Sequence, residues 1–225
     1  MEKNCVEIFY MDIAEVMDYQ YEKMYERASD QRRTRADAYR FREDRIRCIY
    51  AEALLQYGLR QYGYSQDMLI QLGQYGKPYV EIEQGQICFN ISHSGKWVGI
   101  AFSTHNIGFD LEKQSKTVSG ISQFSKDEQV CIMQCKETQR TLIFTKIWTK
   151  KESYLKFLGI GLYKSLNSFS TISDLPFVVD QGKRNEKAWI QTKMLDEQYI
   201  VSVCSEGKTE LRMIPVKQRI LESQG

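Results

Sequence analysis

Two carboxylates stand two residues apart in the apolar segment 107–112 (IGFDLE). The residues around them are typical of a β-strand, in which side chains alternate between the two faces. Asp110 and Glu112 are therefore expected on one face, and Leu111 on the other. Adjacent carboxylates repel each other unless water or a cation lies between them. The spacing is compatible either with a solvated strand end or with a site for a hard divalent cation, most simply Mg²⁺, that carboxylates and a substrate phosphate would hold together.

Two further clusters carry side chains with possible chemistry. Residues 90–95 (NISHSG) end a predicted strand in a turn, where hydroxyls, an imidazole and backbone amides could bind phosphate. In residues 148–156 (WTKKESYLK), Trp148, Glu152 and Lys156 recur every four residues and would share one face of a helix. That face is either a salt bridge beside a packed tryptophan, or a metal ligand or general base next to a phosphate-binding ammonium group.

The elements that must position these clusters include both helices and strands. Alternation predicts a first strand at 6–13, Ser29 is a predicted helix N-cap, and residues 46–59 have the spacing of a buried helix. Ser125 and Glu128 form a predicted capping box, and a long helix is expected at 138–158, ending at Gly159. Short apolar segments predict two groups of strands, at 79–82, 87–92, 97–102 and 107–111, and then at 169–172, 189–195, 199–204 and 211–216, the second group antiparallel.

Helices and strands thus occur together in both halves of the chain. This pattern predicts an α+β protein with two halves and a boundary near residues 104–106, rather than a doubly wound parallel sheet.

Composition limits the class of protein. The chain has 225 residues, of which 42% are hydrophobic and 27% charged, as in ordinary globular proteins and unlike disordered or fibrous ones. No apolar run approaches the roughly 18 residues of a membrane span, and the first residues lack the apolar core of a signal peptide. The six cysteines are scattered, which indicates reduced thiols in a cytoplasmic protein. A zinc site at Cys131 and Cys135 would need two more soft ligands.

Charge is unevenly distributed along the chain. Residues 1–26 carry seven acidic and two basic side chains, whereas residues 27–47 carry eight arginines and four acidic side chains. Arginine presents a planar fork of donors that matches phosphate. The segment could be a solvated helix face, a site for a phosphate-bearing small molecule, or a nucleic-acid-binding surface.

Taken in order, the clusters resemble one family, the 4′-phosphopantetheinyl transferases, and are most similar to its Sfp-type branch, which activates peptide and polyketide synthases. The arginine segment and the turn at 75–78 (YGKP) also fit that branch, and the resemblance covers roughly residues 5–205. The residues that carry it are Asn90, Ile91, Ser92, His93, Ser94, Gly95 and Trp97, then Ile107, Gly108, Asp110 and Glu112, and then Trp148, Lys151, Glu152, Ser153, Lys156, Gly159, Gly161 and Leu162.

The resemblance implies a reaction and a fold. Such an enzyme transfers phosphopantetheine from coenzyme A to a serine hydroxyl of an apo carrier protein and releases adenosine 3′,5′-bisphosphate, with Mg²⁺ or Mn²⁺ as cofactor. Its carrier partner belongs to peptide, polyketide or fatty-acid synthesis. The implied fold has two similar α/β halves, 1–105 and 106–225, related by a pseudo-twofold with the active site in the cleft between them. The length favours a monomer, and no nucleic-acid or membrane partner is expected.

The resemblance also assigns roles to residues. Asp110, Glu112 and Glu152 would bind the metal ion, and Glu152 is the leading candidate for the base that accepts the serine proton. Lys156 and His93 would hold the pyrophosphate. The 3′-phosphate and adenylate of coenzyme A would lie near Arg32, Arg35, Arg47, Lys77 and Ser92. Residues 117–124 are a possible docking segment for the carrier, or they simply pack on the helix that follows.

Two alternatives remain. A nucleic-acid-binding module built on residues 27–47 would explain the arginines and tyrosines, but Asp110, Glu112 and Glu152 would repel its ligand. A non-catalytic coenzyme A-binding protein would be expected to lack Glu152 or Lys156, and both are present.

Overall fold

The computed structural model describes residues 4–64, 71–72, 77–82, 85–172 and 176–223. The strands within these ranges are β1 (Cys5–Asp12), β2 (Gln71–Leu72), β3 (Pro78–Ile82), β4 (Gly85–Ser94), β5 (Trp97–Ser103), β6 (Ile107–Lys113), β7 (Phe169–Ser170), β8 (Phe177–Asp180), β9 (Lys183–Met194), β10 (Tyr199–Glu206) and β11 (Glu210–Pro215). The helices are α1 (Asp18–Arg27), α2 (Asp30–Asp37), α3 (Arg42–Gln61), α4 (Lys126–Gln134), α5 (Glu137–Leu158) and α6 (Gln218–Ser223).

The strands form two sheets. The first has six strands in the order β11-β1-β5-β4-β3-β2, and the second has five in the order β6-β10-β9-β8-β7. The chain is therefore a mixed α+β protein, as the sequence predicts. Strand β11 leaves the second half of the chain and pairs in parallel with β1, with Ile8 opposite Met213. The prediction of an antiparallel strand is wrong here, because an alternating pattern identifies a strand but not its partner.

Three cores hold these layers together. Helix α3 packs on the first sheet through residues such as Ile49 and Leu54, and α5 packs on the second through Tyr154. A third core lies where the two sheets meet and contains Phe109 and Leu111 of β6. Leu111 is fully buried there while the neighbouring carboxylates line a cavity, so the predicted alternation along β6 is confirmed.

Helix boundaries follow the predicted caps. The Ser29 hydroxyl accepts a hydrogen bond from the amide of Arg32 at 3.3 Å at the start of α2, and Ser125 and Glu128 form the capping box of α4. Helix α5 ends at Gly159, whose φ of 72° lies in the left-handed region that glycine adopts without strain. Strand β8 and helix α6 were not predicted, because both are too short to show a clear period.

Strand β6 approaches α5 so closely that only glycine fits at one point. A side chain at Gly108 would overlap the carbonyl oxygen of Ser153 and the backbone of Phe157. This contact fixes the distance between the strand that carries Asp110 and the helix that carries Glu152.

No helix within the described ranges is both long and apolar enough to cross a membrane. Residues 75 and 76 of the predicted turn, and residues 65–70 and 73–74 before it, lie outside the described residues.

Candidate active site

The three sequence clusters meet at one cavity of about 650 Å³, a size typical of small-molecule sites. Helices α2 and α3 and strand β4 contribute from the first half of the chain, and strand β6 and helix α5 contribute from the second. The lining residues that bear chemistry are Arg32, Arg35, Ser92, His93, Asp110, Glu112, Trp148, Glu152 and Lys156.

Asp110 is the buried member of an acidic wall, with only 3% of its surface exposed. Its Oδ1 atom accepts hydrogen bonds from the Ser92 hydroxyl at 2.9 Å and from the Lys156 ammonium at 2.7 Å. Its Oδ2 atom is buried and has no hydrogen-bond partner among the described residues. An unpaired buried carboxylate oxygen is unfavourable by itself, and it is the kind of atom that a bound cation would satisfy.

The negative charge of Asp110 acts on the other two carboxylates of the cavity, Glu112 and Glu152. Glu112 accepts a hydrogen bond from the Ser94 hydroxyl at 2.8 Å and another from the indole of Trp148. Removal from water and then the negative charge of Asp110 raise the pKa of Glu112 above its ordinary value. The same two causes, in the same order, raise the pKa of Glu152, and no hydrogen bond or ion pair joins that carboxylate to the described residues.

The donor chemistry of this wall fits a hard divalent cation. The donors are carboxylate oxygens, which Mg²⁺ prefers, and one of them is buried and unsatisfied. Within the described ranges, no three His, Cys, Asp or Glu side chains are already gathered as a complete metal site. The Lys156 ammonium instead provides the positive charge next to Asp110.

Basic side chains line the same cavity. The Lys156 ammonium also donates to the carbonyl oxygen of Phe109 at 3.1 Å, which holds it between β6 and α5. His93 lines the cavity but is exposed at its mouth; partial desolvation, then the charges of Arg47, Lys156 and Arg35, lower the pKa of its imidazole. The ring is therefore a neutral donor and acceptor at pH 7.

The two arginines that line the cavity, Arg32 and Arg35, differ in whether they already have a bonding partner. Arg32 pairs with Glu52 at 3.6 Å, so its guanidinium already has an anionic partner. Arg35 is exposed and has no hydrogen-bond or ion-pair partner in the part of the chain that the structure describes. A phosphate that entered the cavity would meet Arg35 without displacing an existing bond.

Two sequence-predicted residues do not line the cavity. Lys77 points instead to the start of β6 and the end of α5, where its ammonium donates to Asn106 and to the carbonyl oxygens of Ile107 and Phe157. Burial lowers the pKa of Lys77 to about 8, and three nearby acceptors already surround its ammonium group. Arg47 donates to the carbonyl oxygen of Gly95 at 2.7 Å and to Asp44. Its positive charge nevertheless acts on His93.

The remaining arginines of residues 27–47 do not form an open basic strip. Arg33, Arg42 and Arg47 each pair with an aspartate, and Arg45 donates to the carbonyl oxygen of Tyr39. These bonds explain why the net positive charge of the segment is not matched by a surface of unpaired guanidinium groups.

Part of the segment after β6, residues 117–124, packs into the hydrophobic core. Phe124 is 1% exposed and stacks on Phe144 and Trp148. Val118 and Ile121 are only partly buried against the same core, so any docking surface in residues 117–124 would have to use them.

Sequence reasoning missed three contacts made by residues of these motifs, two of them at the site and one in the core. Gly108 sets the approach of β6 to α5, Ser94 bonds Glu112, and Lys151 forms a fully buried ion pair with Glu128. Each lies inside a motif that was singled out, so the signal was present. What the sequence could not show was the partner of each residue.

The comparisons with known proteins agree with this geometry. The family model of the 4′-phosphopantetheinyl transferase superfamily matches residues 106–204. A 4′-phosphopantetheinyl transferase of Bacillus subtilis is 31% identical over 194 residues, which cover 82% of this chain and 84% of that protein. The 4′-phosphopantetheinyl transferase Sfp of Bacillus subtilis (strain 168) is 31% identical over 79% of this chain and 81% of its own length.

A third relative, the 4′-phosphopantetheinyl transferase gsp of Aneurinibacillus migulanus, is 33% identical over 63% of this chain and 60% of that protein. The chain therefore belongs to the 4′-phosphopantetheinyl transferase family. The predicted resemblance to the Sfp-type branch is confirmed, and so is the class of enzyme, the holo-acyl-carrier-protein synthases.

Proposed function

We propose that this protein transfers the 4′-phosphopantetheine group of coenzyme A to a serine hydroxyl of an apo carrier protein or carrier domain, in a reaction that depends on Mg²⁺ and releases adenosine 3′,5′-bisphosphate. The observation that carries the proposal is a single cavity lined by three carboxylates and by arginine, histidine and lysine side chains. Family membership supports the transfer of phosphopantetheine to carrier proteins.

The charges of the cavity match the charges of coenzyme A. In the proposed mode of binding, Arg32 and Arg35 hold the 3′-phosphate, and His93 and Lys156 hold the pyrophosphate. Arg47, whose charge acts on His93, adds to the positive field. Phosphoryl transfer needs neutralisation of charge and in-line positioning more than covalent catalysis. Cations on several separate elements are suited to that task.

Asp110, Glu112 and Glu152 are the proposed ligands of Mg²⁺. The bound ion would stabilise the developing charge on the phosphate oxygens. The role of the protein is to position these three carboxylates. The unpaired Oδ2 atom of Asp110 supports their assignment as ligands of the ion.

Glu152 is also the proposed general base. The carrier serine oxygen forms a bond to the β-phosphorus of coenzyme A, the bond from that phosphorus to the bridging oxygen breaks, and adenosine 3′,5′-bisphosphate leaves. The serine proton passes to Glu152, directly or through water. The Glu152 carboxylate lines the cavity and has no hydrogen bond or ion pair among the described residues, so its oxygens are available to accept that proton.

The proposal extends to architecture and context. Residues 1–105 and 106–225 form two similar halves related by a pseudo-twofold, with the active site in the cleft between them; the cavity draws residues from both, which supports this arrangement. The enzyme acts as a monomer in the cytoplasm on carriers of peptide, polyketide or fatty-acid synthesis. All six cysteines are free thiols, as expected in a reducing compartment.

The test is an intact-mass measurement on an apo carrier protein incubated with the protein, coenzyme A and Mg²⁺. We expect one added phosphopantetheine per carrier, abolished by EDTA. Asp110→Ala and Glu152→Ala should each lower the rate by roughly 10²- to 10³-fold, as expected when one electrostatic catalytic group is lost. Glu186→Ala, on the exposed face of β9, is the matched control and should transfer at the normal rate. Undiminished transfer by the Glu152→Ala protein would disprove the role of Glu152.

A further inference from the structure

The inference concerns the seam where the two sheets meet. Strand β6 is an edge strand of the second sheet, and among the described residues it pairs with one strand, β10. The amides on its other edge would be unsatisfied, but side chains of β4 accept their hydrogen bonds. Phe109 N–H donates to the Asn90 side-chain oxygen at 3.0 Å, Leu111 N–H to the Ser92 hydroxyl at 3.2 Å, and Lys113 N–H to the Ser94 hydroxyl at 3.1 Å.

The two strands share one period. Every second residue of β4 presents a polar side chain to every second amide of β6, because both strands alternate with a period of two. The side chains of Asn90, Ser92 and Ser94 therefore accept the hydrogen bonds that a neighbouring strand would otherwise accept. We call Asn90, Ser92 and Ser94 the seam residues.

Both serines of the seam also donate a hydrogen bond to a carboxylate. The Ser92 hydroxyl donates to Asp110 Oδ1 at 2.9 Å, and the Ser94 hydroxyl donates to Glu112 Oε2 at 2.8 Å. The direction is fixed by chemistry, because the amides of Leu111 and Lys113 can only donate and the hydroxyl proton is left for the carboxylate. Each serine thus holds both the backbone and the carboxylate of β6 in one geometry.

Ser92 has no bonding capacity left for a ligand phosphate. Its oxygen accepts from the Leu111 amide and from the Lys156 ammonium at 3.1 Å, and its proton goes to Asp110. A hydroxyl has one donor and two acceptor positions, so all three are in use. The hydroxyl is therefore committed to orienting Asp110 and Lys156 rather than to contacting the adenylate.

From these contacts we infer that Ser94 and Ser92 are positioning residues, which orient Glu112 and Asp110 for the divalent cation of the proposed function. The inference rests on that function. By fixing Asp110 Oδ1, the Ser92 hydroxyl leaves Oδ2 as the oxygen free for the ion. Hydrogen bonds to metal-binding carboxylates typically change metal affinity by 10- to 100-fold.

Ser94 offers the cleaner test, because its hydroxyl bonds only Glu112 and the Lys113 amide in the described part of the chain. The probe is Mn²⁺, titrated into the full-length protein with coenzyme A present and followed by electron paramagnetic resonance. Ser94→Ala should weaken Mn²⁺ binding about 10-fold, and Ser94→Thr, which keeps the hydroxyl, should restore most of it. Ser94→Cys, with a weak S–H donor of similar size, should also bind weakly, so the result does not depend on whether the alanine variant folds.

Asn90→Ala is the control that separates a structural role from a positioning role. It removes one bond of the seam but no bond to a carboxylate. We expect it to lower thermal stability as Ser94→Ala does, while Mn²⁺ affinity stays within about threefold of wild type.

The outcomes distinguish the inference from the function on which it rests. Wild-type Mn²⁺ affinity in the Ser94→Ala and Ser94→Cys proteins would overturn the positioning role and leave the proposed function intact. A wild-type protein that binds no Mn²⁺ and transfers phosphopantetheine in EDTA would overturn both. Equal weakening by Asn90→Ala and Ser94→Ala would show that the seam matters only for stability.

Discussion

Helix α5 carries two lysines that each bond a carboxylate, and the surroundings of the two pairs differ. The Lys151 and Glu128 side chains are both 0% exposed and lie 2.6 Å apart. The remaining protons of the ammonium go to the carbonyl oxygens of Leu166 and Phe169, both at 2.7 Å. Glu128 also accepts bonds from Ser125 and Thr171. Every polar atom of this buried pair is used.

The second pair is incomplete. Lys156 bonds one oxygen of Asp110, the other oxygen has no partner among the described residues, and two more carboxylates line the same cavity. Burial makes an unsatisfied polar atom and a group of like charges unfavourable. The comparison suggests that the satisfied pair holds the fold, joining α5 to α4 and β7, whereas the unsatisfied group is kept for a ligand.

The largest expected effect is on the satisfied pair. Glu128→Ala would leave the Lys151 ammonium buried without an anion, and we expect the free energy of unfolding to fall by about 3–5 kcal/mol. Urea unfolding followed by circular dichroism measures it. Lys150→Met, at the neighbouring, partly buried lysine, is the control and should change stability by less than about 1 kcal/mol. If Glu128→Ala were as stable as the control, the pair would not be structural.

A smaller effect of opposite sign is expected at the unsatisfied group. Burial, then the charge of Asp110, raise the pKa of Glu152, so the folded protein binds the Glu152 proton more tightly than the unfolded chain does. Stability from this group is therefore greatest at acid pH and declines as the pH rises through the raised pKa. Glu152→Gln should raise the melting temperature at pH 7 without metal by about 2 °C.

The same variant should lose its advantage under two conditions. Below about pH 4 the wild-type carboxyl is protonated as well, so the two melting temperatures should converge. Excess Mg²⁺ should stabilise the wild type more than the variant. Glu186→Gln, at an exposed position, should show neither change. A Glu152→Gln protein that melts below wild type at pH 7 without metal would show that the carboxylate is not strained.

Periodicity was enough to predict which side of each element the chemistry occupies. Asp110 and Glu112 alternate with Leu111 on β6, and Trp148, Glu152 and Lys156 follow the helical repeat, so both sets could be placed on one face each. The structure brings these faces to one cavity. Because a helix turns between successive residues, Lys151 does not share the face of Glu152 and Lys156. Lys151 therefore enters the core, whereas Lys156 enters the cavity.

The partners of these residues could not be predicted, because they depend on contacts between distant segments. The hydroxyls, the imidazole and the amides of residues 90–95 were possible phosphate partners, and the structure bonds the Ser92 and Ser94 hydroxyls to β6. Lys77 was expected near the adenylate, and its ammonium bonds Asn106 and the backbone carbonyls of Ile107 and Phe157. Strand β11 was predicted from the same kind of apolar segment as the strands before it, but it pairs with β1 of the first sheet. A local pattern does not specify such long-range pairings.

The most direct test of the shared cation is anomalous diffraction from a crystal grown with Mn²⁺ and coenzyme A. We predict a single Mn²⁺ peak in the cavity, with oxygens of Asp110, Glu112 and Glu152 about 2.1–2.2 Å away and Asp110 Oδ2 among them. A peak bound elsewhere, or a peak whose ligands exclude Asp110 and Glu152, would contradict the proposed site.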